Sequence, residues 1–140
     1  PIGAQDGYLY NHEVGYDADG SAMTSSIEAS PIDVGEGDRF VFINRIIPDI
    51  TFQGSTGGTP SVDMTLSMQD YPGSPYGQAE AETVTSSAIS TTTVPFEQFT
   101  TKADIRLRGR AFAFKVDSTA LGVRWRLGTP RIQLRQDGRR

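Results

Sequence analysis

Residues 62–69 read Val-Asp-Met-Thr-Leu-Ser-Met-Gln. Every second side chain is apolar, and those between are polar or charged. Only an extended strand puts alternate residues on opposite faces, so this stretch is a β-strand with one face in a core and the other toward water. The same period of two returns in Ile105-Arg106-Leu107-Arg108, in Val123-Arg124-Trp125-Arg126-Leu127 and in Ile132-Gln133-Leu134-Arg135. Phe40-Val41-Phe42-Ile43-Asn44-Arg45-Ile46-Ile47 is apolar on both parities, which predicts a central strand covered on both sides and ended by Pro48. Phe112, Phe114 and Val116 continue the Ile105–Leu107 series on the other parity, so a β-bulge is expected at Gly109 or Arg110.

Between these segments lie turn signals: two glycines in 33–38, a Gly/Ser/Thr run over 54–60, Tyr-Pro-Gly-Ser-Pro-Tyr over 71–76, and Gly128-Thr129-Pro130. Residues 79–94, rich in Thr, Ser and Val, read as an exposed strand. With 15 glycines, 8 prolines and only 36% hydrophobic residues in 140, the chain suits short strands and tight turns. The expected fold is all-β: an antiparallel β-sandwich, jelly-roll-like, over 39–140. An irregular lead-in over 1–38, able to pack on that domain, precedes it. Within the lead-in, 22–30 has room for one or two helical turns before Pro31 stops them.

Several chemistries are excluded at once. The chain has no cysteine, which removes disulfides, thiolate metal sites and cysteine nucleophiles. A single histidine, His12, removes multi-histidine zinc sites. No phosphate-binding glycine pattern and no nucleophile elbow is present. No apolar run approaches the ~20 residues of a membrane span, and no signal-peptide pattern opens the sequence. The first residue is Pro1, so either an initiator was removed or the chain is a segment of something longer. Asp17, Asp19, Ser21 and Glu28 fall at calcium-loop spacing, but the position that must be glycine is Ala22, and an acidic surface turn is expected instead. Glu80 and Glu82 share a face if they lie in a strand, yet glycosidase carboxylates work across a cleft. Neither they nor His12 beside Glu13 make a catalytic site. No enzyme activity, cofactor or metal is expected.

The charge is unevenly placed. Residues 1–101 hold two basic side chains against fourteen acidic ones, and residues 102–140 hold eleven against three. Such halves attract each other within a fold or between copies. Arg106, Arg108 and Arg110 on one strand, with Arg124 and Arg126 on another, would line one face if the two strands pair. Facing like charges repel, so an anion should cover them. Candidates are carboxylates of a neighbouring subunit, phosphates of a nucleic acid, or Asp63, Asp70, Glu80 and Glu82 of the same domain. An acidic chain without exposed aromatics for base stacking favours the protein partners. A second candidate surface is the stiff loop carrying Tyr71, Pro72 and Tyr76, which either recognises a ligand or covers the sandwich edge.

Residues 33–49, Asp-Val-Gly-Glu-Gly-Asp-Arg-Phe-Val-Phe-Ile-Asn-Arg-Ile-Ile-Pro-Asp, resemble a segment near the C-terminus of tailed-phage virion proteins. So do Ile-Arg-Leu-Arg-Gly-Arg at 105–110, Leu-Gly-Val-Arg-Trp-Arg-Leu-Gly-Thr-Pro-Arg-Ile at 121–132 and the closing Arg-Gln-Asp-Gly-Arg-Arg. The resemblance is to the tail nozzle (tail tubular B-like) proteins of short-tailed phages and spans most of 28–140. Those proteins are usually several times longer, with this segment at their end. The resemblance implies a structural tail component forming a ring of identical subunits around the DNA path, in contact with neighbouring tail proteins. It implies a virion location after synthesis in the host cytoplasm, with DNA passing and no specific nucleic-acid recognition. It carries over no catalytic residues. The alternative is a host-surface carbohydrate-binding module working through the loop at 71–76; a glycan-degrading tail enzyme built on Glu80 and Glu82 ranks below both.

Overall fold

The computed structural model describes residues 2–3 (backbone only), 5–11, 13–71 and 91–138. Among these residues the regular structure is all strand, and the pairings are antiparallel. The lead-in supplies β1 (Ile2–Gly3), β2 (Leu9–Tyr10), β3 (Asp17–Ala18) and β4 (Ser21–Ala22). There follow β5 (Ser25–Glu28), β6 (Ile32–Asp33), β7 (Val41–Ile47), β8 (Ile50–Thr51) and β9 (Ser61–Gln69). The last five are β10 (Thr91–Glu97), β11 (Ala103–Gly109), β12 (Ala111–Ser118), β13 (Arg126–Leu127) and β14 (Arg131–Gln136).

Two sheets enclose the core. One runs β10-β9-β12, with β5 and β6 end to end along the far edge of β12; the other runs β11-β7-β14. Their inner faces meet in one cluster, with Val41, Ile43, Ile46, Ile105 and Leu107 from the narrower sheet against Val62, Met64, Leu66, Met68, Phe96 and Val116 from the wider. From β5 and β6 the chain steps to the other sheet for β7, back for β9 and β10, across for β11, back for β12 and across again for β14. Every step except β9 to β10 changes sheet. That path and neighbour order are those of a jelly roll, whose about eight strands divide evenly between two sheets. Among the described residues the sheet ending in β14 is one strand narrower than its partner.

The alternation in 62–69 folds as read: Val62, Met64, Leu66 and Met68 are buried in β9 and the residues between face outward. On that outer face Thr65 and Thr93 share a hydroxyl hydrogen bond of 2.8 Å, and Thr91 Oγ1 donates to Ser67 Oγ at 3.2 Å. β7 is central, as expected, but covered on one face only. Val41, Ile43 and Ile46 are buried, and Phe42, Asn44 and Arg45 on the other face are half-buried.

Three expectations are corrected. No bulge lies at Gly109 or Arg110, because there the chain turns a corner from β11 into β12. Changing sheets reverses the inward direction, which is what moves the apolar parity. The corner is pinned by Arg110 N donating to Gln69 O at 2.7 Å, and a Cβ on Gly109 would stand 2.8 Å from Gln69 O, too close for any residue but glycine. The register instead shifts on β11 between Asp104 and Leu107, and again where β7 meets β14. Second, residues 25–28 form a strand, not helical turns. Ser, Thr and Ile are indifferent helix formers, and the edge of β12 offers them partners, with Ile27 opposite Val116. Third, the lead-in is not irregular throughout, since β5 and β6 belong to the sandwich. Of the strand expected over 79–94, residues 91–94 lie in β10, which runs on to Glu97; residues 79–90 lie outside the described residues.

Candidate functional site

The outward face of the β11-β7-β14 sheet carries the first part of the arginine series. Arg106 and Arg108 point away from Ile105 and Leu107, as alternation requires. Asp104 lies opposite Arg45 on β7 and accepts a hydrogen bond from its Nε at 2.7 Å. That guanidinium holds the Asp104 carboxyl below the usual carboxylate range. Arg108 pairs with Asp137, and its guanidinium lies 3.9 Å from the centroid of the Phe40 ring. Arg110 approaches the same ring at 4.6 Å. Two cations thus cover one buried phenyl group, and an acid of the same chain neutralises one of them. Among the described residues the carboxylate that pairs with this series is Asp137, rather than Asp63 or Asp70; Glu80 and Glu82 lie outside the described residues.

Arg124 and Arg126 do not join this face. β11 pairs with β7, and the 121–127 segment runs at the end of the sandwich, where only Arg126 and Leu127 form a strand, on β8. The expected single stripe is therefore two separate groups. Alternation set the inward direction correctly, since Val123, Trp125 and Leu127 pack on the core, but it could not say which strand lies beside which. Arg124 reaches back to the lead-in: its Nη1 donates to Tyr16 Oη at 3.2 Å and its guanidinium stands 5.4 Å from that ring. Ser55 Oγ accepts from Arg124 N at 3.0 Å and donates to Arg124 O at 2.9 Å. Trp125 Nε1 donates to Ser25 Oγ at 2.8 Å. Arg110 and Arg124 are engaged within this domain, Arg110 on the Phe40 ring with its Nε buried and without a hydrogen-bond partner, and Arg124 on Tyr16. Arg106, Arg126, Arg131 and Arg135 are exposed, with no carboxylate in pairing distance among the described residues.

The other candidates resolve as follows. Asp17, Asp19 and Ser21 belong to the β3–β4 hairpin, whose turn residues Asp19 and Gly20 both have positive φ, 48° and 80°. Both-positive φ is the two-residue hairpin turn that Asp-Gly favours, and it explains the motif without a cation. Asp17 Oδ1 is engaged by Gly122 N at 2.6 Å. Tyr71 is exposed at the end of β9; Pro72, Tyr76, Glu80, Glu82 and His12 lie outside the described residues.

Two features escaped the sequence reading. One is a concavity of about 670 Å³ lined by Phe42, Asn44, Asp104, Arg106 and Arg135 of the β11-β7-β14 sheet and, from β10, by Thr92 and Val94. Asn44 sits where both register shifts fall, and its buried Oδ1 has no hydrogen-bond partner. The other is the flank beside β14. A second cavity, about 550 Å³, lies there between the 34–39 turn and β14, with Val34, Val41 and Leu134 in its wall. The apolar side chains of that flank stay uncovered: Ile27 is 48% exposed, Ile32 45% and Leu134 40%. Among the described residues, no other strand pairs with the outer edge of β14.

Compared with known proteins, the chain matches no protein-family model and no curated protein. Among the described residues no helix is long and apolar enough to cross a membrane.

Proposed function

We propose that this chain is a structural component of a bacteriophage tail, of the nozzle or adaptor type, that works through contacts between subunits and carries out no catalysis. The observation that supports the reading best is the flank beside β14: among the described residues the sandwich is one strand short there, with apolar side chains and a strand edge uncovered together. An edge of that kind is an aggregation hazard unless another chain covers it. The sequence resemblance to tail nozzle proteins supplies the setting, and Arg106 and Arg126, which pair with no carboxylate among the described residues, supply points of attachment to acidic neighbours. Quantitative mass spectrometry of purified particles tests the reading. The chain is expected at a fixed ratio to the other tail proteins, in the virion. Particles that lack it and still assemble and infect normally overturn the proposal.

A second reading, binding of host-surface carbohydrate, has the concavity at Phe42 and Asn44 in its favour. Phe42 offers a ring for a sugar face, Asn44 an unused hydrogen-bonding group, and Arg106 and Arg135 charges for an acidic sugar. Binding of the isolated chain to acidic host polysaccharide, lost in Arg106→Ala with Arg135→Ala, would support it. No binding to any host glycan ends it.

A further inference from the structure

The vacancy beside β14 has definite requirements. An added strand must pair with the free edge of β14. It must turn apolar side chains inward beside Leu134 and toward Ile27 and Ile32. Its outward side chains will lie near Arg131 and Arg135, so carboxylates fit there and cations do not. A symmetric pair of β14 strands in the register centred on Gln133 fails this test. It would set Arg131 of each copy opposite Arg135 of the other.

The chain itself contains a short segment that meets the requirement at one position: on β2 Leu9 can turn inward, with Tyr10 and the Asp6 carboxylate bonded to it on the other side. The arm over 5–14 carries Asp6 and Glu13 and no Lys or Arg. Its large side chains are uncovered: Leu9 is 79% exposed, Val14 71% and Tyr8 68%. β2 pairs with β1 along one edge, and among the described residues nothing pairs with the other. Tyr8 N and Tyr10 Oη both donate to the Asp6 carboxylate, at 3.0 and 2.7 Å, so the arm is an ordered hairpin. It is anchored to its own sandwich at Tyr16 and Asp17, through Arg124 and Gly122. The exposed Leu9 suits the apolar side of this flank and Asp6 suits Arg131 and Arg135 on its outer side, while Glu36 and Asp38 stand in the cavity wall close by; among the described residues no strand fills the place.

We propose that the arm of one copy adds β2 to the free edge of β14 in the next copy, completing its sandwich. This rests on the assembly reading above and names the surface and the partner. The contact is head-to-tail: each copy gives an arm and receives one. Repetition then builds a ring where the rotation closes and a filament where it does not. Backbone hydrogen bonds along the added strand supply affinity, and the alternate side chains supply register.

The absence of cysteine makes the test clean. Copies carrying Leu9→Cys are mixed with copies carrying a cysteine at Ile132, Gln133 or Leu134 in turn, and oxidised. Only Cα atoms within about 7 Å can bridge, so one of the three should give a covalent heterodimer, and Leu9→Cys with a cysteine at exposed Phe99 should give none. Charge exchange is the second arm of the test. Asp6→Lys with Glu13→Lys, or Arg131→Glu with Arg135→Glu, should each weaken self-association in sedimentation roughly tenfold, and mixing the two variants should restore it. Three results overturn the proposal: no heterodimer at any position, a Leu134→Cys homodimer, or cross-links confined within single chains carrying both cysteines. The tail reading fails separately. A chain found in particles that does not self-associate refutes arm exchange alone, and a chain that self-associates but is missing from particles refutes the tail reading alone.

Discussion

The two long flanks of the sandwich follow the same alternating code and end differently. Where β10 runs beside β11, Phe96, Ile105 and Leu107 are buried. On the opposite flank Leu134, Ile27 and Ile32 obey the same parity and yet remain uncovered. The difference shows what hydrophobic period can and cannot specify. It says which way a side chain points, and the number of strands on the facing sheet decides whether anything meets it there. One flank is closed; on the other, among the described residues, no strand covers the apolar side chains.

The largest expected effect separates the flanks directly. Phe96→Ala should cost about 3–5 kcal/mol in chemical denaturation, the range for a large side chain lost from a packed interior. Leu134→Ala in dilute chain should cost about 1 kcal/mol or less, because much of its surface is already in water. Equal losses would mean that the open flank is closed in solution. At concentrations where copies associate, Leu134→Ala should become the more damaging of the two for assembly.

Next in size is the corner that joins the sheets. Gly109→Ala puts a methyl group 2.8 Å from both Gln69 O and Met68 Cβ, where neither backbone nor core can yield easily. A loss of about 1–3 kcal/mol is expected. Gly58→Ala, where a Cβ meets nothing within 4 Å, should stay within about 0.5 kcal/mol of the parent and serves as the comparison. If both behave alike, the close approach at the corner has been overstated.

Arginine substitutions come third and sharpen the contrast between cations that hold the fold and cations that face outward. Arg108→Met loses the Asp137 pair and the Phe40 contact, and about 1 kcal/mol is expected in thermal or chemical unfolding. Arg126→Met should be close to neutral for the isolated chain, since that side chain is exposed and no carboxylate pairs with it among the described residues. The reverse ranking would place the fold's cation at the wrong end of the sandwich.

Much of the fold was legible because it depends on parity. β7, β9, β11 and β14 lie where the apolar series placed them, and Pro48 ends β7 as its ring requires. What parity could not supply was adjacency. Arg106 and Arg126 sit on alternating segments that look equivalent in sequence, but one strand pairs with β7 and the other with β8. The bulge expected at Gly109 failed for a related reason: a corner between sheets and an extra residue within a strand shift the apolar parity in the same way. The open flank left no local mark at all. It is visible only when the strands of the two sheets are set side by side. One overlooked signal was available, since Tyr8, Leu9 and Val14 are large apolar residues among turn formers, a pattern that calls for a partner.

The smallest effect lies in the arm, and pH reaches it from both ends. The phenol of Tyr10 donates to Asp6, which holds that carboxyl below the usual range and pushes the phenol above its own. For Asp6 the folded value is the lower one, so its contribution is present above the ordinary aspartate value of about 3.9 and fades as pH falls through the lowered one. For Tyr10 the folded value is the higher one, so its contribution is present below about 10 and fades as pH rises through the raised one. Both groups are on the surface, so the overall fold should barely respond while the hairpin loosens at either extreme. Asp104, held low by Arg45, provides the internal control on the sandwich. In an NMR titration of the carboxyl groups, Tyr10→Phe should move Asp6 back toward ordinary aspartate behaviour and leave Asp104 in place. An Asp6 titration unchanged by that substitution would show that the hydrogen bond does not order the arm, and would remove the pre-formed hairpin on which strand exchange relies.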